Sequence, residues 1–157
     1  MKAEYINPFI VATTNVLKTM AQTNPAAGKP EIKKDRSTWG VVTGVIGMAG
    51  PSVSGNMVLS FDKGSILEIV SKMLMEEFSD ITDDVVDAVG EITNMITGGA
   101  KKEFGDMGLP FDMAIPIMIK GQGVEIKQLA NAPTLVIPFK TEKGSFVIEA
   151  NLGERKS

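Results

Sequence analysis

The run ITDDVVDAVGEITNMITGGAKKEF, from Ile81 to Phe104, constrains the fold more than any other stretch of the chain. Its apolar residues recur at the spacing of one helix face, because residues that advance by about 100° each return to the same side every three or four positions. The pattern predicts a long helix that is buried along one stripe and exposed along the opposite one. The expected buried stripe consists of Val85, Val89, Ile92 and Ile96.

A glycine pair, Gly98-Gly99, interrupts this pattern without ending it. Glycine commonly stops a helix, but the four-residue spacing of Ile96, Ala100 and Phe104 runs across the pair. We therefore expect the helix to continue. Each interior glycine costs the helix about 1 kcal/mol relative to alanine. A close approach by another helix or by a partner would account for that cost.

The face opposite the apolar stripe carries Asp87, Glu91 and Asn94. Side chains three and four residues apart are neighbours on a helix, so these residues form a short row of two carboxylates and one carboxamide. Such a row can bind a cationic group and orient a water molecule. Taken alone, the Glu-x-x-Asn spacing is a weak signal, and an ordinary solvated helix face is its more frequent meaning.

Composition excludes several classes of function. The chain has 157 residues, which suits one domain over 1–157, and it carries a net charge of −3. An acidic chain without a cluster of lysines, arginines and aromatic residues is not expected to bind nucleic acid. It has no cysteine and no histidine, which excludes disulfides, thiol chemistry and a histidine base. We expect no metal site and no cofactor of its own.

The chain is also expected to remain outside the membrane. No apolar stretch approaches the roughly 18 residues that span a bilayer, and the N-terminal run MKAEYINPF lacks the apolar core of a signal peptide. We expect a cytoplasmic protein without membrane insertion.

The remaining segments predict an α+β fold. One further helix is expected after Asn7-Pro8 and another over Ile66 to Leu74, giving three helices in all. β-branched runs separated by turn residues predict two hairpins and two shorter strands, making a mainly antiparallel sheet of about six strands. The order of elements suggests two duplicated helix-hairpin units. The expected strands are 38–48, 56–61, 113–119, 124–127, 134–140 and 145–151, and Pro116 within them indicates a sheet edge or a bulge.

The run VGEITNMITGGAK resembles the signature of the CheC/CheX/FliY chemotaxis phosphatases. That signature is [DS]-x-x-x-E-x-x-N followed by a proline roughly twenty residues later. Asp87, Glu91, Asn94 and Pro116 all fit it. In addition, GVVTGVIGMAGPSVSGNMVLSF followed by ILEIVSKML is similar to the strand-strand-helix block of the CheX type.

The first helix departs from the pattern of family members that carry two sites. When Asn15 is aligned with Asn94, Ala12 stands where a glutamate would be required. The resemblance therefore implies one site per chain, as in CheX-like members.

The resemblance implies an enzyme that hydrolyses the aspartyl phosphate of a CheY-like receiver protein. Asn94 would orient the attacking water and Glu91 would pair with a receiver lysine, while Asp87, Pro116 and Gly98 would support docking or local shape. Phosphoryl transfer depends mainly on positioning and charge stabilisation, which a carboxamide and a carboxylate can provide. The Mg²⁺ ion is expected on the receiver.

The resemblance also implies a homodimer. We expect the closing hairpin, 134–140 with 145–151, to leave an apolar edge open for a second copy. Two alternatives to a phosphatase remain open at this point. One is a non-catalytic docking module for receiver or flagellar switch proteins, and the other is a sensor that binds a small ligand between helices.

Overall fold

The computed structural model of the chain describes residues 3–127 and 129–154. A short 3-10 turn at Ala3–Tyr5 precedes three helices, α1 (Asn7–Ala21), α2 (Lys63–Leu74) and α3 (Asp83–Asp106). Eight strands complete the described elements: β1 (Ala26–Ala27), β2 (Glu31–Ile32), β3 (Val42–Ala49), β4 (Val53–Phe61), β5 (Asp112–Met113), β6 (Ile117–Lys120), β7 (Leu135–Lys140) and β8 (Ser145–Glu154).

The strands form one antiparallel sheet in the order β1-β7-β8-β4-β3-β5, with β2 also on β7 and β6 also on β3. Three helices on an antiparallel sheet confirm the predicted α+β class. The predicted number of about six strands is too low, because the two-residue strands β1 and β2 are too short to show an alternating pattern. Conversely, residues 124–127 form no strand and contribute only an isolated bridge between Ser37 and Glu125.

The central strand β4 is buried on both of its faces. One face points to the helices, where Thr97 of α3 donates a hydrogen bond to the sulfur of Met57 at 3.8 Å. On the other face the side-chain oxygen of Asn56 accepts from the backbone N–H of Leu129. A loop after β6 therefore covers the side of the sheet that faces away from the helices.

The closing hairpin does not leave an open edge, so that prediction is wrong. Strand β8 lies between β7 and β4, and β7 is covered along its other side by β1 and β2. The covering strands come from the polar loop after α1, and their pairing with β7 joins parts of the chain that are far apart in sequence. Among the described strands, the open edge lies on the opposite side of the sheet, at β5 and β6.

Pro116 lies in a bulge at this open edge. Val45 is paired with Ile117 and Met48 with Met113. The two paired positions are three residues apart on β3 but four residues apart on the segment that joins β5 to β6. One extra residue on the partner strand is the definition of a β-bulge. Both predictions for Pro116 are therefore confirmed, because it lies at a sheet edge and in a bulge.

Helix α3 lies very close to the sheet where Thr93 meets Gly44. A Cβ atom on Gly44 of β3 would be only 2.3 Å from Oγ1 of Thr93 and 3.2 Å from its Cβ. Thr93 is fully buried, and its hydroxyl donates to the carbonyl oxygen of Val89 at 2.7 Å. Only glycine at position 44 leaves room for this threonine, so this contact determines how closely α3 approaches the sheet.

We predict that Gly44→Ala lowers the free energy of unfolding by about 1–3 kcal/mol, because an added methyl overpacks the contact between β3 and α3. Urea denaturation monitored by circular dichroism measures this loss. The double variant Gly44→Ala with Thr93→Ala should lose less than the sum of the two single losses, because the second change removes the clashing hydroxyl.

Gly47→Ala is the matched control on the same strand. A Cβ at Gly47 would lie 3.7 Å from both Ala114 and Leu129, which is ordinary contact. This variant should be neutral or more stable, since glycine in a strand interior is itself unfavourable. Equal losses for the two variants would contradict the proposed close contact.

Candidate functional site

Helix α3 begins and ends close to the predicted positions. Thr82 is its N-cap, and the Thr82 hydroxyl oxygen accepts from the backbone N–H of Val85 at 3.4 Å. Asp83 and Asp84 occupy the first turn, where the positive end of the helix dipole favours negative charge. The helix continues through the glycine pair to Asp106, as predicted from the apolar spacing.

Three sides of α3 are covered. The sheet lies beneath it, and on one flank Gly99 meets α1, where an added Cβ would be 3.0 Å from Ala12. On the other flank Gly90 faces β6, where an added Cβ would be 3.4 Å from the sulfur of Met118. The helix buries the predicted stripe together with its neighbours: Val85, Ala88, Val89, Ile92, Thr93, Ile96, Thr97, Ala100 and Phe104.

An aromatic cluster holds the C-terminal end of α3. The ring of Phe104 lies 5.7 Å from the ring of Tyr5, 5.7 Å from that of Phe9 and 5.5 Å from that of Phe111, measured between ring centroids. These distances are typical of favourable edge and tilted aromatic contacts. This cluster fixes the C-terminal end of the buried stripe, and Val85 is buried at the other end, so the free face has a defined direction.

The free face presents Asp87, Glu91 and Asn94, all exposed. The spacing of four and then three residues makes them successive neighbours, and the whole row extends about 10 Å along the helix axis. Within residues 3–127 and 129–154, the side chains of these three residues form no hydrogen bond and no ion pair. Their polar atoms are thus directed to solvent or to a partner.

Negative charge dominates the first half of this face. Asp83, Asp84, Asp87 and Glu91 all lie before Asn94, whereas the exposed lysines of α3 follow it. Lys101 makes only a long, exposed contact with Asp112 at 3.8 Å, which stabilises little. An acidic row of this kind can attract a cationic group. No cluster of three or more metal-ligating side chains occurs in the described part of the chain.

The structure brings some of the other predicted residues near this face. Gly98 is exposed one turn after Asn94 on the same side of α3. Pro116 is partly buried in the bulge before β6, and Met118, two residues later, packs against Gly90 beside Glu91. Pro116 thus lies directly before the strand that packs against α3.

Sequence reasoning did not identify the two pairs of residues that position α3 on the sheet, namely Gly44 with Thr93 and Gly90 with Met118. The glycines in the run GVVTGVIG, and Gly90 within the helix, were the available signal. A glycine inside a strand or helix frequently marks close approach by another element. Which element approaches the glycine depends on the fold and cannot be read from the glycine itself.

Helix α1 does not display a second row. Ala12 is buried against Gly99, while Asn15 is exposed. The absence of a carboxylate at Ala12 follows from this packing, because a glutamate could not fit between the two helices.

Helices on one face of an antiparallel sheet, with a Glu-x-x-Asn motif exposed on the longest helix, are the features of a chemotaxis phosphatase of the CheC/CheX/FliY class. A family model described as chemotaxis phosphatase CheX matches residues 42–140, more than half of the chain, including α3 and Pro116. The chain therefore belongs to the CheX family, which confirms the resemblance.

Individual relatives agree with this assignment. The CheY-P phosphatase CheX of Thermotoga maritima is 25% identical over 144 residues, which cover 91% of this chain and 92% of that protein. The crystal structure of chemotaxis protein CheX from Vibrio vulnificus is 42% identical, with a TM-score of 0.89, and the match covers 96% of this chain and 100% of that one.

A third relative is known in a complex. The chain is similar to a chain of the CheX-CheY-BeF3-Mg²⁺ complex from Borrelia burgdorferi, with 28% identity and a TM-score of 0.78. The match covers 99% of this chain and 100% of that one.

No helix in the described residues is both long enough and apolar enough to cross a membrane.

Proposed function

We propose that this chain is a phosphatase that hydrolyses the aspartyl phosphate of a CheY-like receiver protein in the cytoplasm. The observation that carries the proposal is the exposed row of Asp87, Glu91 and Asn94 on a helix fixed on three sides. Membership of the CheX family supports it, as does the name of the Thermotoga relative, a CheY-P phosphatase.

The proposed reaction is attack of water on an acyl phosphate. Water oxygen forms a bond to phosphorus while the bond from phosphorus to the receiver's carboxylate oxygen breaks, giving inorganic phosphate and the free aspartate. Such a displacement needs the water in line with the leaving oxygen more than it needs a strong base. The amide of Asn94 both donates and accepts hydrogen bonds, so it can hold a water in one orientation.

Glu91 and Asp87 would make the docking contacts. Glu91 lies one turn before Asn94 and would pair with a receiver lysine beside the phosphate, which fixes the depth and direction of insertion. This pairing also offsets the repulsion between the acidic row and the phosphate. The receiver's own Mg²⁺ would supply further positive charge at the phosphoryl group. Asp87, one turn further away, would contact the rim of the receiver's site, and Pro116 would act through the shape of β6.

We predict that Asn94→Ala lowers phosphate release from the receiver by at least about tenfold, because the attacking water loses its orientation. Binding to the receiver and the melting temperature should be nearly unchanged, since exposed substitutions usually alter stability by no more than about 0.5 kcal/mol. Phosphate release from a ³²P-labelled receiver measures the effect.

Asn15→Ala is the matched control, because Asn15 is also an exposed asparagine on a helix. It should release phosphate at the wild-type rate. If Asn94→Ala retained full activity while the wild type was active, Asn94 would have no catalytic role. If the wild-type chain bound receivers but released no phosphate, the docking-module alternative would be correct.

We predict that Glu91→Ala weakens the complex with a phosphorylated receiver, and that Glu91→Lys weakens it more, by about tenfold or more, through like-charge repulsion with the receiver lysine. Isothermal titration against a receiver activated with beryllofluoride and Mg²⁺ measures the affinity. Both variants should remain folded, because Glu91 is exposed and unpaired within the described part of the chain.

Glu76→Lys controls for the change in net charge, because Glu76 is exposed just after α2 and outside α3. It should alter the affinity much less than Glu91→Lys does. Equal affinities of the wild type and Glu91→Lys would rule out the proposed ion pair.

We also propose a homodimer, formed along the open edge at β6. Ile115 and Ile117 are 87% and 66% exposed there, beside an apolar groove of about 380 Å³ that Val45, Ile119 and Leu129 help to line. Unpaired backbone groups next to exposed isoleucines favour pairing with another strand. A second copy pairing through β6 would give a two-fold dimer in which the exposed row of each α3 stays accessible.

We predict that the wild type has a dimer mass at micromolar concentration and that Ile117→Glu is monomeric, because a charge at the centre of the interface is unfavourable. Ile32→Glu is the control, since Ile32 is 62% exposed at the other edge of the sheet. Light scattering coupled to size exclusion measures both. A monomeric wild type contradicts the dimer, and a dimer broken only by Ile32→Glu moves the interface to β2.

A further inference from the structure

The two glycines of the pair in α3 have different surroundings. A Cβ on Gly99 would be 3.0 Å from Cβ of Ala12 in α1, so the approach of the neighbouring helix accounts for that glycine. A Cβ on Gly98 would meet nothing within 4 Å. Packing within the described part of the chain therefore leaves Gly98 unexplained.

Gly98 is also unfavourable for the helix that contains it. Glycine in a helix interior is less stable than alanine, because it loses more backbone freedom on folding. Its φ angle is not among the positive ones, so the backbone does not require glycine. An exposed helix position where alanine would fit and would stabilise is instead occupied by glycine.

This unfavourable glycine lies next to Asn94 on the surface of α3. The two residues are four apart, so they are neighbours on the free face of α3. Side chains on a helix lean toward its N-terminus, so a side chain at position 98 would cover the surface next to Asn94. Glycine there leaves the backbone of α3 uncovered directly behind the carboxamide.

We propose that Gly98 is a contact position for the receiver, whose surface rests on the bare helix backbone while Asn94 extends into the phosphorylation site. This inference rests on the proposed phosphatase function and adds a determinant of insertion depth to it. An added methyl carbon would stand about 1.5 Å above the helix backbone. A displacement of about 1 Å in a positioned catalytic group can lower the rate a hundredfold.

The test compares Gly98→Ala and Gly98→Leu with Gly105→Ala. Gly105 is an exposed glycine of the same helix, and a Cβ there also meets nothing within 4 Å, but it lies about 16 Å from Asn94 along the axis. All three variants should melt at a higher temperature than the wild type, because each replaces a helical glycine by a better helix former.

Phosphate release from the labelled receiver should fall by at least about tenfold for Gly98→Ala and further for Gly98→Leu, while Gly105→Ala retains wild-type activity. Affinity for the receiver activated with beryllofluoride and Mg²⁺ should fall in the same order. Alanine and leucine have similar helix propensity, so both variants should stiffen the helix to a similar extent. A larger loss of activity for leucine than for alanine would therefore indicate steric contact and not a need for a flexible helix.

Wild-type activity in Gly98→Ala and Gly98→Leu overturns the inference and leaves the proposed function intact. Equal losses in Gly98→Ala, Gly98→Leu and Gly105→Ala also overturn it, because helix rigidity would then be the cause. A wild-type chain that releases no phosphate from any receiver of its host overturns both proposals.

Discussion

The contact between Gly44 and Thr93 controls the position of the longest helix, and the candidate site depends on that position. A threonine at the centre of α3 can rest on the strand only because the strand has no side chain at that point. The Thr93 hydroxyl donates a hydrogen bond to the carbonyl oxygen of Val89 inside the helix, so its burial does not leave the hydroxyl unpaired. With α1 on one flank and β6 on the other, a single face of α3 is left for a partner.

That face could be predicted from the sequence because it depends on local information. Helical periodicity alone separates Val85, Val89 and Ile92 from Asp87 and Glu91, and the structure leaves the first group buried and the second exposed. The same periodicity correctly predicted that the helix continues across Gly98-Gly99. The helices and the long strands were predictable for the same reason, since their patterns extend over many residues.

The sheet edges could not be predicted, because an edge is a property of pairings between distant parts of the chain. The hairpin of β7 and β8 has the apolar, β-branched composition of an edge that could recruit a second copy, yet β1, β2 and β4 occupy both of its sides. The pairing partners β1 and β2 have two residues each, too few for any pattern. Likewise, Gly90 and Met118 are neighbours only because β6 lies beside α3. A glycine inside a helix indicates a close approach, but it does not show which residue approaches.

The residues proposed for docking and catalysis lie on one continuous helix that has no hinge between them. Asp87, Glu91, Asn94 and Gly98 keep their mutual distances as long as α3 stays folded, and three buried flanks keep it folded. In the proposed complex the chain would therefore present a preformed surface, and adjustment of fit would occur in the receiver. Discrimination between phosphorylated and resting receivers would then arise from the conformational equilibrium of the receiver. The conformation of this protein would stay the same in both cases.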